Sequence, residues 1–460
     1  MKPWDHQIKN VQNVLQNKTW GIFDDMGTGK SYSAIEVLNQ IYETQGQCKT
    51  LIVCPCSVIE VWPYQFQKHS RIQFDIYAPT NLSVPKKAGH IKRFLHPKMI
   101  CVLNYEAIWR APLAQILTSI KWDCIFLDES HRISAPGSKV SWFCKSLQAN
   151  YKVLLTGTPL RTPLSIYAQY RFLNPKIFGK SFNAFKTYYA NEINMGTFKK
   201  VVSYKNLDDL YKRIYCCASR VKRENVLELP AVTNVILKST MPKEMQKVYN
   251  ELHEDLIAQW EQGIVSASNA LVKALRLQQL TGGYIRFDDG TDFIMDSPKH
   301  DQLKDLLEDL PEDEPFVVFC RYTNEIQRIK EFKITDRTFA ELSGHMNQLQ
   351  EWQAGKYNTL VVQIRSGGVG IDMTRSCYAA YLSTGYDPLD YQQSMARLDR
   401  QGQNRPVTLY HLMVADTIDE KIHMRLEEKH RTTENLLDGN INTVFQKEAI
   451  DDAIKSFLKP

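Results

Sequence analysis

Asp24-Asp25-Met26-Gly27-Thr28-Gly29-Lys30-Ser31 is the stretch that decides the fold of this chain. It follows an apolar run, Trp20-Gly21-Ile22-Phe23, and opens a helical pattern with Ala34, Ile35, Leu38 and Ile41 on one face. A glycine-rich turn between a strand and a helix N-terminus points backbone N–H groups at phosphate. Gly27, Thr28 and Gly29 form the cradle, and the two glycines let the backbone approach closely. Lys30 is expected to reach β- and γ-phosphates, and the Ser31 hydroxyl to take Mg²⁺. The strict pattern G-x-x-x-x-G-K-[ST] is missed at one place, where Asp24 stands for its first glycine.

A second run completes the chemistry. Asp128 and Glu129 follow the apolar strand Cys124-Ile125-Phe126-Leu127. A carboxylate at a strand end can hold Mg²⁺, which is the expected role of Asp128. Its neighbour Glu129 can orient and deprotonate an attacking water. Such a pair alone reads equally well as a solvated loop, but with Lys30-Ser31 on an earlier strand it points to hydrolysis of ATP. Leu155-Thr156-Gly157-Thr158-Pro159 closes another strand with hydroxyls and N–H groups at the sheet edge. Further on, Arg397 and Arg400 stand three apart in Gln393-Ser-Met-Ala-Arg-Leu-Asp-Arg-Gln-Gly-Gln403. On a helix they share a face and repel unless an anion faces them, and a γ-phosphate across an interlobe cleft is such an anion.

Between these motifs, short β-rich runs alternate with helical patterns. In residues 1–175 the runs are 20–23, 50–54, 100–103, 123–127 and 152–156, and from about 315 they are 316–320, 359–364, 379–382 and 407–412. Such alternation predicts parallel sheets wrapped by helices, with functional groups at the carboxyl ends of strands. Long helical patterns, including 241–263 and 266–281, fill the middle. The predicted fold is α/β: a first lobe over 1–175, a helical insert over 176–295, a second lobe over 296–438 ending in a charged helix, and a tail over 439–460.

The formal net charge of +6 is modest but unevenly spread. Residues 171–240 hold 13 Lys/Arg against 5 Asp/Glu, a balance of +8, so the rest of the chain carries −2. Aromatic residues such as Phe182, Phe185, Tyr188, Tyr189, Phe198, Tyr204 and Tyr211 interleave this basic block. That pattern suits a phosphate backbone, or else a solvated helical surface over an aromatic core. No run of 18 apolar residues exists, so no membrane span is expected. The ten cysteines show no C-x-x-C pair, and Cys54, Cys101, Cys124 and Cys320, inside apolar runs, read as reduced core residues. The N-terminus lacks an apolar signal region, so the expected setting is the cytoplasm, without secretion.

The order of motifs resembles the Swi/Snf-type branch of the superfamily-two helicases, translocases and remodellers of double-stranded DNA. Residues 24–31 are similar to that family's D-E-M-G-L-G-K-T, which also has Asp in place of the first Gly. Pro3…His6-Gln7 resembles its adenine-reading glutamine motif. Leu51-Ile-Val-Cys-Pro55-Cys-Ser57, followed by Trp62 and Phe66, resembles its second motif, and Asn104-Tyr105-Glu106 its T-Y-E element. Asp128-Glu129-Ser130-His131 stands for D-E-A-H or D-E-G-H. Residues 154–160, Gly367-Gly368-Val369-Gly370-Ile371 and Arg397…Arg400-Gln401-Gly402-Gln403 match later motifs. Residues 220–230 resemble the R-R-x-K-x-D-V-L-x-L-P segment, and Thr417-Ile-Asp-Glu-Lys421-Ile the closing T-I-E-E-K-I helix.

The resemblance implies two RecA-like lobes with ATP and Mg²⁺ in the cleft, Lys30, Glu129, Arg397 and Arg400 as catalytic residues, and Gln7 and Gly370 among the nucleotide contacts. It implies translocation along duplex DNA, with Ser57, Tyr105, Thr156, Gly367 and Gly368 on the track. It also places a helical protrusion and a strap in the basic block, which makes Lys199, Lys200, Lys212, Arg213, Lys222 and Arg223 track candidates. Recruiting proteins and a monomeric state are further expectations. Asp372, Gln363 and Tyr386 depart from the family's usual Asn, Ser and Trp. A core this small resembles compact viral or bacterial members, or fork-remodelling relatives, more than a large remodeller subunit. The rival readings are an RNA or single-strand helicase, and a non-catalytic nucleotide-gated DNA-binding protein.

Overall fold

The computed structural model describes residues 2–194, 199–261, 267–286, 291–365 and 371–439. Its strands in chain order are β1 Thr19–Ile22, β2 Thr50–Cys54, β3 Asp75–Tyr77, β4 Met99–Asn104, β5 Trp122–Asp128, β6 Ala149–Leu155, β7 Ala190–Asn194, β8 Lys199–Tyr204 and β9 Ala218–Ser219. They continue with β10 Val232–Ser239, β11 Tyr284–Arg286, β12 Asp292–Ile294, β13 Phe316–Cys320, β14 Phe339–Leu342, β15 Thr359–Gln363, β16 Tyr378–Tyr381 and β17 Val407–Val414. The described chain forms two compact units. The first runs to Glu228 and takes up the chain again from Thr432, and the second runs from Leu229 to Arg431.

The first unit is built on the sheet β3-β4-β2-β5-β6-β1-β9, whose strands all pair in parallel. Its central strands are buried along their length, as helices on both faces require. That is why Leu51, Ile52, Val53, Ile125, Phe126 and Leu127 read as continuous apolar runs. Helices Asp5–Asn17 and Lys30–Gln45 pack on each other beside β1. The second unit has the parallel sheet β10-β17-β16-β13-β15-β14. Phe319, Tyr381 and His411 stack within it, with ring centroids 4.9 and 5.1 Å apart.

The segment expected as a separate helical insert over 176–295 is instead shared. Its first part, with the hairpin β7–β8 and the strand β9 that pairs with β1, belongs to the first unit. Its later part supplies β10, an edge strand paired with β17, together with the helices Lys243–Glu261 and Ala267–Thr281 of the second. The physical reason is that β9 and β10 each find a free sheet edge. Part of the aromatic content of the basic block resolves as a core: Phe178, Phe182, Phe185 and Tyr189 pack ring against ring with Tyr167 and Tyr170 of the preceding helix, with centroids 4.7–6.4 Å apart. Within helix Phe182–Tyr189 the spacing of Phe182, Phe185 and Tyr189 is that of an amphipathic face, while Tyr188 is exposed and Phe198 lies outside the described residues.

Candidate nucleotide site

Strand register brings the motifs of the first unit together. Ile22 pairs with Leu155, and Leu155 pairs with Asp128, so β1, β6 and β5 end level with one another. The runs 23–29, 128–131 and 156–159 therefore leave the sheet side by side at its carboxyl edge, where ligands bind in open α/β sheets. A Cβ on Gly157 would lie 3.2 Å from Met26 N, so the Thr-Gly-Thr turn abuts the phosphate loop directly.

Local chemistry shapes that loop. Gly27 and Gly29 have φ of +83° and +81°, a region that suits glycine. A Cβ on Gly29 would meet Gln7 Nε2 at 2.2 Å, so this position has no room for a side chain. Thr28 Oγ1 donates to Asp25 O at 2.8 Å. The Thr28 carbonyl lies 2.9 Å from His6 Nε2 and accepts from Gln7 Nε2 at 3.2 Å. Gln7 thus stands against the loop, fixed at its other end by Trp4 N donating to its Oε1.

Asp24 is fully buried and accepts from Asn10 Nδ2 at 2.6 Å, while Asn10 Oδ1 accepts from Ser219. The departure from the strict glycine pattern is therefore a brace between loop, first helix and β9. Burial raises the Asp24 pKa, against the lowering effect of Lys30 and Asn10. Lys30 Nζ donates to the carbonyls of Asp24 and Asp25 at 2.8 and 2.9 Å. Ser31 follows, half-buried, in the first turn of helix Lys30–Gln45.

The carboxylates are held as tightly. Asp128 Oδ2 accepts from the indole Nε1 of buried Trp62 at 3.1 Å, and Oδ1 accepts from Glu129 N at 3.0 Å. Burial, then the neighbouring Glu129, pushes the Asp128 pKa up to about 7. Glu129 has φ +51° and is buried. Its Oε2 accepts from Thr156 Oγ1 at 3.3 Å and lies 3.3 Å from His131 Nδ1. His131 Nδ1 and Thr156 Oγ1 are 3.2 Å apart, and Thr156 Oγ1 also accepts from Thr158 N. Ser130 donates to buried Gln169, which in turn donates to Pro159 O. The result is one buried polar network joining the Asp-Glu pair to the Thr-Gly-Thr turn.

Two expected DNA contacts belong to this network instead. Thr156 is fully buried between Glu129 and His131, and Tyr105 is buried with its hydroxyl donating to Asp128 O at 2.8 Å. Neither presents a surface to a duplex. Ser57, Lys199, Lys212 and Arg213 are exposed, and Asp209 already holds Arg213 at 2.9 Å. Lys200 pairs through its backbone with Ile193 in the hairpin. Lys222 Nζ lies 2.7 Å from Asp438 Oδ2, and Arg223 donates its backbone N–H to Asp25. Gly367, Gly368 and Gly370 lie outside the described residues.

In the second unit, helix Pro388–Met395 ends before the two arginines, so they do not share a helix face as expected. They follow in successive turns closed by Leu398 N to Met395 O and Gln403 N to Arg400 O. Arg397 is buried, and Arg400 Nη1 donates to Ile371 O at 3.0 Å. Asp372 caps its own turn, accepting from Thr374 N and Oγ1. The side chain of Tyr386 packs over the Arg321 guanidinium. Asn10, Trp62 and Gln169 were given no role by the sequence. Asn10 had a signal, one helical turn after Gln7 on the same face, and Trp62 had one as a residue of the second-motif resemblance, while Gln169 had none.

Two parallel α/β units, the first with a phosphate loop after β1 and an Asp-Glu pair after β5, on either side of β6 at the same sheet edge, define a nucleotide-binding protein of the phosphate-loop class. The chain belongs to the SNF2-related domain family, whose model matches residues 6–282, and a helicase conserved C-terminal domain matches residues 298–402. Among its relatives, the uncharacterized ATP-dependent helicase MG018 of Mycoplasma genitalium is 23% identical, over 98% of this chain and 43% of that protein. The putative ATP-dependent helicase/translocase YwqA of Bacillus subtilis is also 23% identical, over 95% and 49%. The ATP-dependent DNA helicase DDM1 of Arabidopsis thaliana is 24% identical, over 92% and 60%. The chain thus spans about half the length of these curated relatives. The solved Sulfolobus solfataricus SWI2/SNF2 ATPase core in complex with dsDNA is 21% identical over 98% of each chain, with a TM-score of 0.44.

Proposed function

We propose that this chain hydrolyses ATP to ADP and phosphate and uses the cycle to translocate on double-stranded DNA. The observation that carries the reading is the network in which Glu129, His131 and Thr156 meet beside the phosphate loop. The residues present fit a nucleotide with Mg²⁺. The Gly29 cradle excludes a Cβ, and the Lys30 ammonium is kept at the loop by two carbonyls. Phosphate oxygens offer that ammonium stronger, charged acceptors. Ser31 and Asp128 would hold Mg²⁺, which supplies positive charge to the β- and γ-phosphate oxygens. The Glu129 carboxylate, oriented by the Thr156 hydroxyl, takes a proton from the attacking water. Arg397 and Arg400 are the second unit's proposed contribution to turnover.

The DNA part of the reading is supported by family membership, by a relative that bears the name of a DNA helicase, and by the exposed cations Lys199, Lys212 and Arg213. Phosphate-backbone contacts of this kind are indifferent to sequence and sensitive to salt. The test is phosphate release from ATP in the presence of duplex DNA, single-stranded DNA or RNA. Stimulation by duplex DNA, abolished by Lys30→Ala, is the expected result. Stimulation by RNA or single strands alone would move the protein to the helicase reading, and no turnover with any of them to the non-catalytic one.

A further inference from the structure

The run Cys217–Arg223 lies along the approach to the phosphate loop. Gly21 N donates to Cys217 O, Phe23 N to Ser219 O and Asp25 N to Val221 O, at 2.8–3.0 Å. Arg223 N then donates to Asp25 Oδ2 at 3.0 Å. The pairing of β1 with β9 is thus extended beyond the strands as far as Asp25 and Val221, and Asp25 is the last loop residue it holds. From the same run the Arg220 side chain, 5% exposed, faces three carboxylates. Its Nη2 lies 3.5 Å from Asp25 Oδ1 and 2.5 Å from Glu434 Oε2, and its Nε lies 3.6 Å from Asp438 Oδ1.

Glu434 and Asp438 come from the far end of the chain. Helix Ile418–Leu437 belongs to the first unit from Thr432 onward. Leu436 and Leu437 are buried in that unit's core, and Leu437 O accepts from Tyr215 at 3.0 Å. Lys222 adds a second tie to Asp438 at 2.7 Å. The last turn of the helix is therefore anchored by apolar burial and by charge, and Arg220 bridges it to the phosphate loop.

Asp25 places a negative charge on the loop read here as the receiver of phosphate. Left uncompensated, that charge opposes phosphate binding, and at short range in a partly desolvated site the opposition is strong. We propose that Arg220, anchored by Glu434 and Asp438, is a positioning residue of the nucleotide site that holds Asp25 in place and offsets part of its negative charge. The C-terminal helix end is then part of the support of the phosphate loop. The proposal rests on the reading of Gly27–Ser31 as the phosphate site.

The experiment measures ATP affinity and the KM and kcat of ATP hydrolysis in the full chain, with folding checked by circular dichroism. Arg220→Gln should weaken ATP binding roughly ten-fold or more, as loss of one partner from a buried charge cluster does. The effect should fall on Kd and KM more than on kcat, and Arg220→Lys should recover part of it. Adding Asp25→Asn to Arg220→Gln should restore affinity, because the charge to be offset is gone. Glu434→Gln with Asp438→Asn should weaken binding in the same direction, and it decides the matter if Arg220→Gln does not fold. Wild-type affinity in the folded Arg220 or helix-end variants, or no rescue by Asp25→Asn, overturns the proposal. If Lys30→Ala also leaves ATP binding unchanged, the phosphate-site reading has failed; if Lys30→Ala abolishes binding, only the Arg220 role has.

Discussion

Glu129, the proposed base, sits in a left-handed backbone conformation, which costs a non-glycine residue roughly 1–2 kcal/mol. It is also buried against His131 and Thr156. An amide of the same shape keeps these contacts and loses the base. Glu129→Gln should therefore bind ATP near wild-type affinity and hydrolyse it about 10²-fold or more slowly, as read by equilibrium binding and single-turnover hydrolysis. Failure to bind ATP would make Glu129 structural. Trp62 gives a finer test, because its indole N–H is donated to Asp128 Oδ2. Trp62→Phe keeps an aromatic ring in the core and removes a hydrogen bond to a charged group, worth about 1.5–3 kcal/mol. The Mg²⁺ concentration for half-maximal ATPase should rise several-fold, with activity regained at high Mg²⁺; an unshifted Mg²⁺ curve would show that Asp128 needs no such support. Lys30, Asp128 and Glu129 were legible in the sequence because the chemistry fixes both residue type and strand end. Tyr105 and Thr156 were not, since a hydroxyl in a motif looks the same whether it faces solvent or, as here, a buried carboxylate.

At the level of elements, the phosphate loop is a turn with two glycines at positive φ, Gly27 and Gly29. Gly29→Ala would put a methyl group 2.2 Å from Gln7 Nε2 in a backbone region that disfavours it. Gln7 must then swing off the loop or the loop must shift, and ATP binding should fall at least ten-fold by titration while the thermal midpoint drops; binding at wild-type affinity would mean that the loop does not need this geometry. Strands such as β2, β5 and β13 were readable because burial on both faces writes an unbroken apolar run. The edge strand β10 was not, because its residues Val232–Ser239 alternate between half-buried and exposed positions. Its place beside β17 is set by a partner far along the chain. The helix expected to carry Arg397 and Arg400 stops at Met395, and Arg397 is buried in the turns beyond it. A periodicity argument has no means of finding where those turns begin.

For the whole molecule, the two units carry different sensitivities. His411 and His300 are buried in the second unit, where burial pulls their pKa values down to about 3 and about 4, helped by His423 and Lys299 respectively. Unfolded, both protonate near pH 6.5. Below that pH the unfolded chain binds more protons than the native one, so their stabilising effect is complete above about pH 6.5 and is lost as pH falls toward 4 and 3. Each histidine contributes a slope approaching about 1.4 kcal/mol per pH unit. Urea melts at pH 7 and pH 5 should show this loss, and His411→Asn should flatten it; an unchanged pH slope would show that His411 does not titrate as its burial requires. The division of the chain at Glu228 and Leu229 was not legible, because composition marks a basic block across that point while sheet edges decide which unit each strand joins. If ATP hydrolysis in the first unit drives movement along duplex DNA, as proposed, the motor should strip a third strand from a DNA triplex. Displacement should depend on ATP and be abolished by Lys30→Ala, with a blunt duplex left intact under the same conditions. Triplex left intact while ATP turns over, or ready unwinding of the plain duplex, would contradict that proposal.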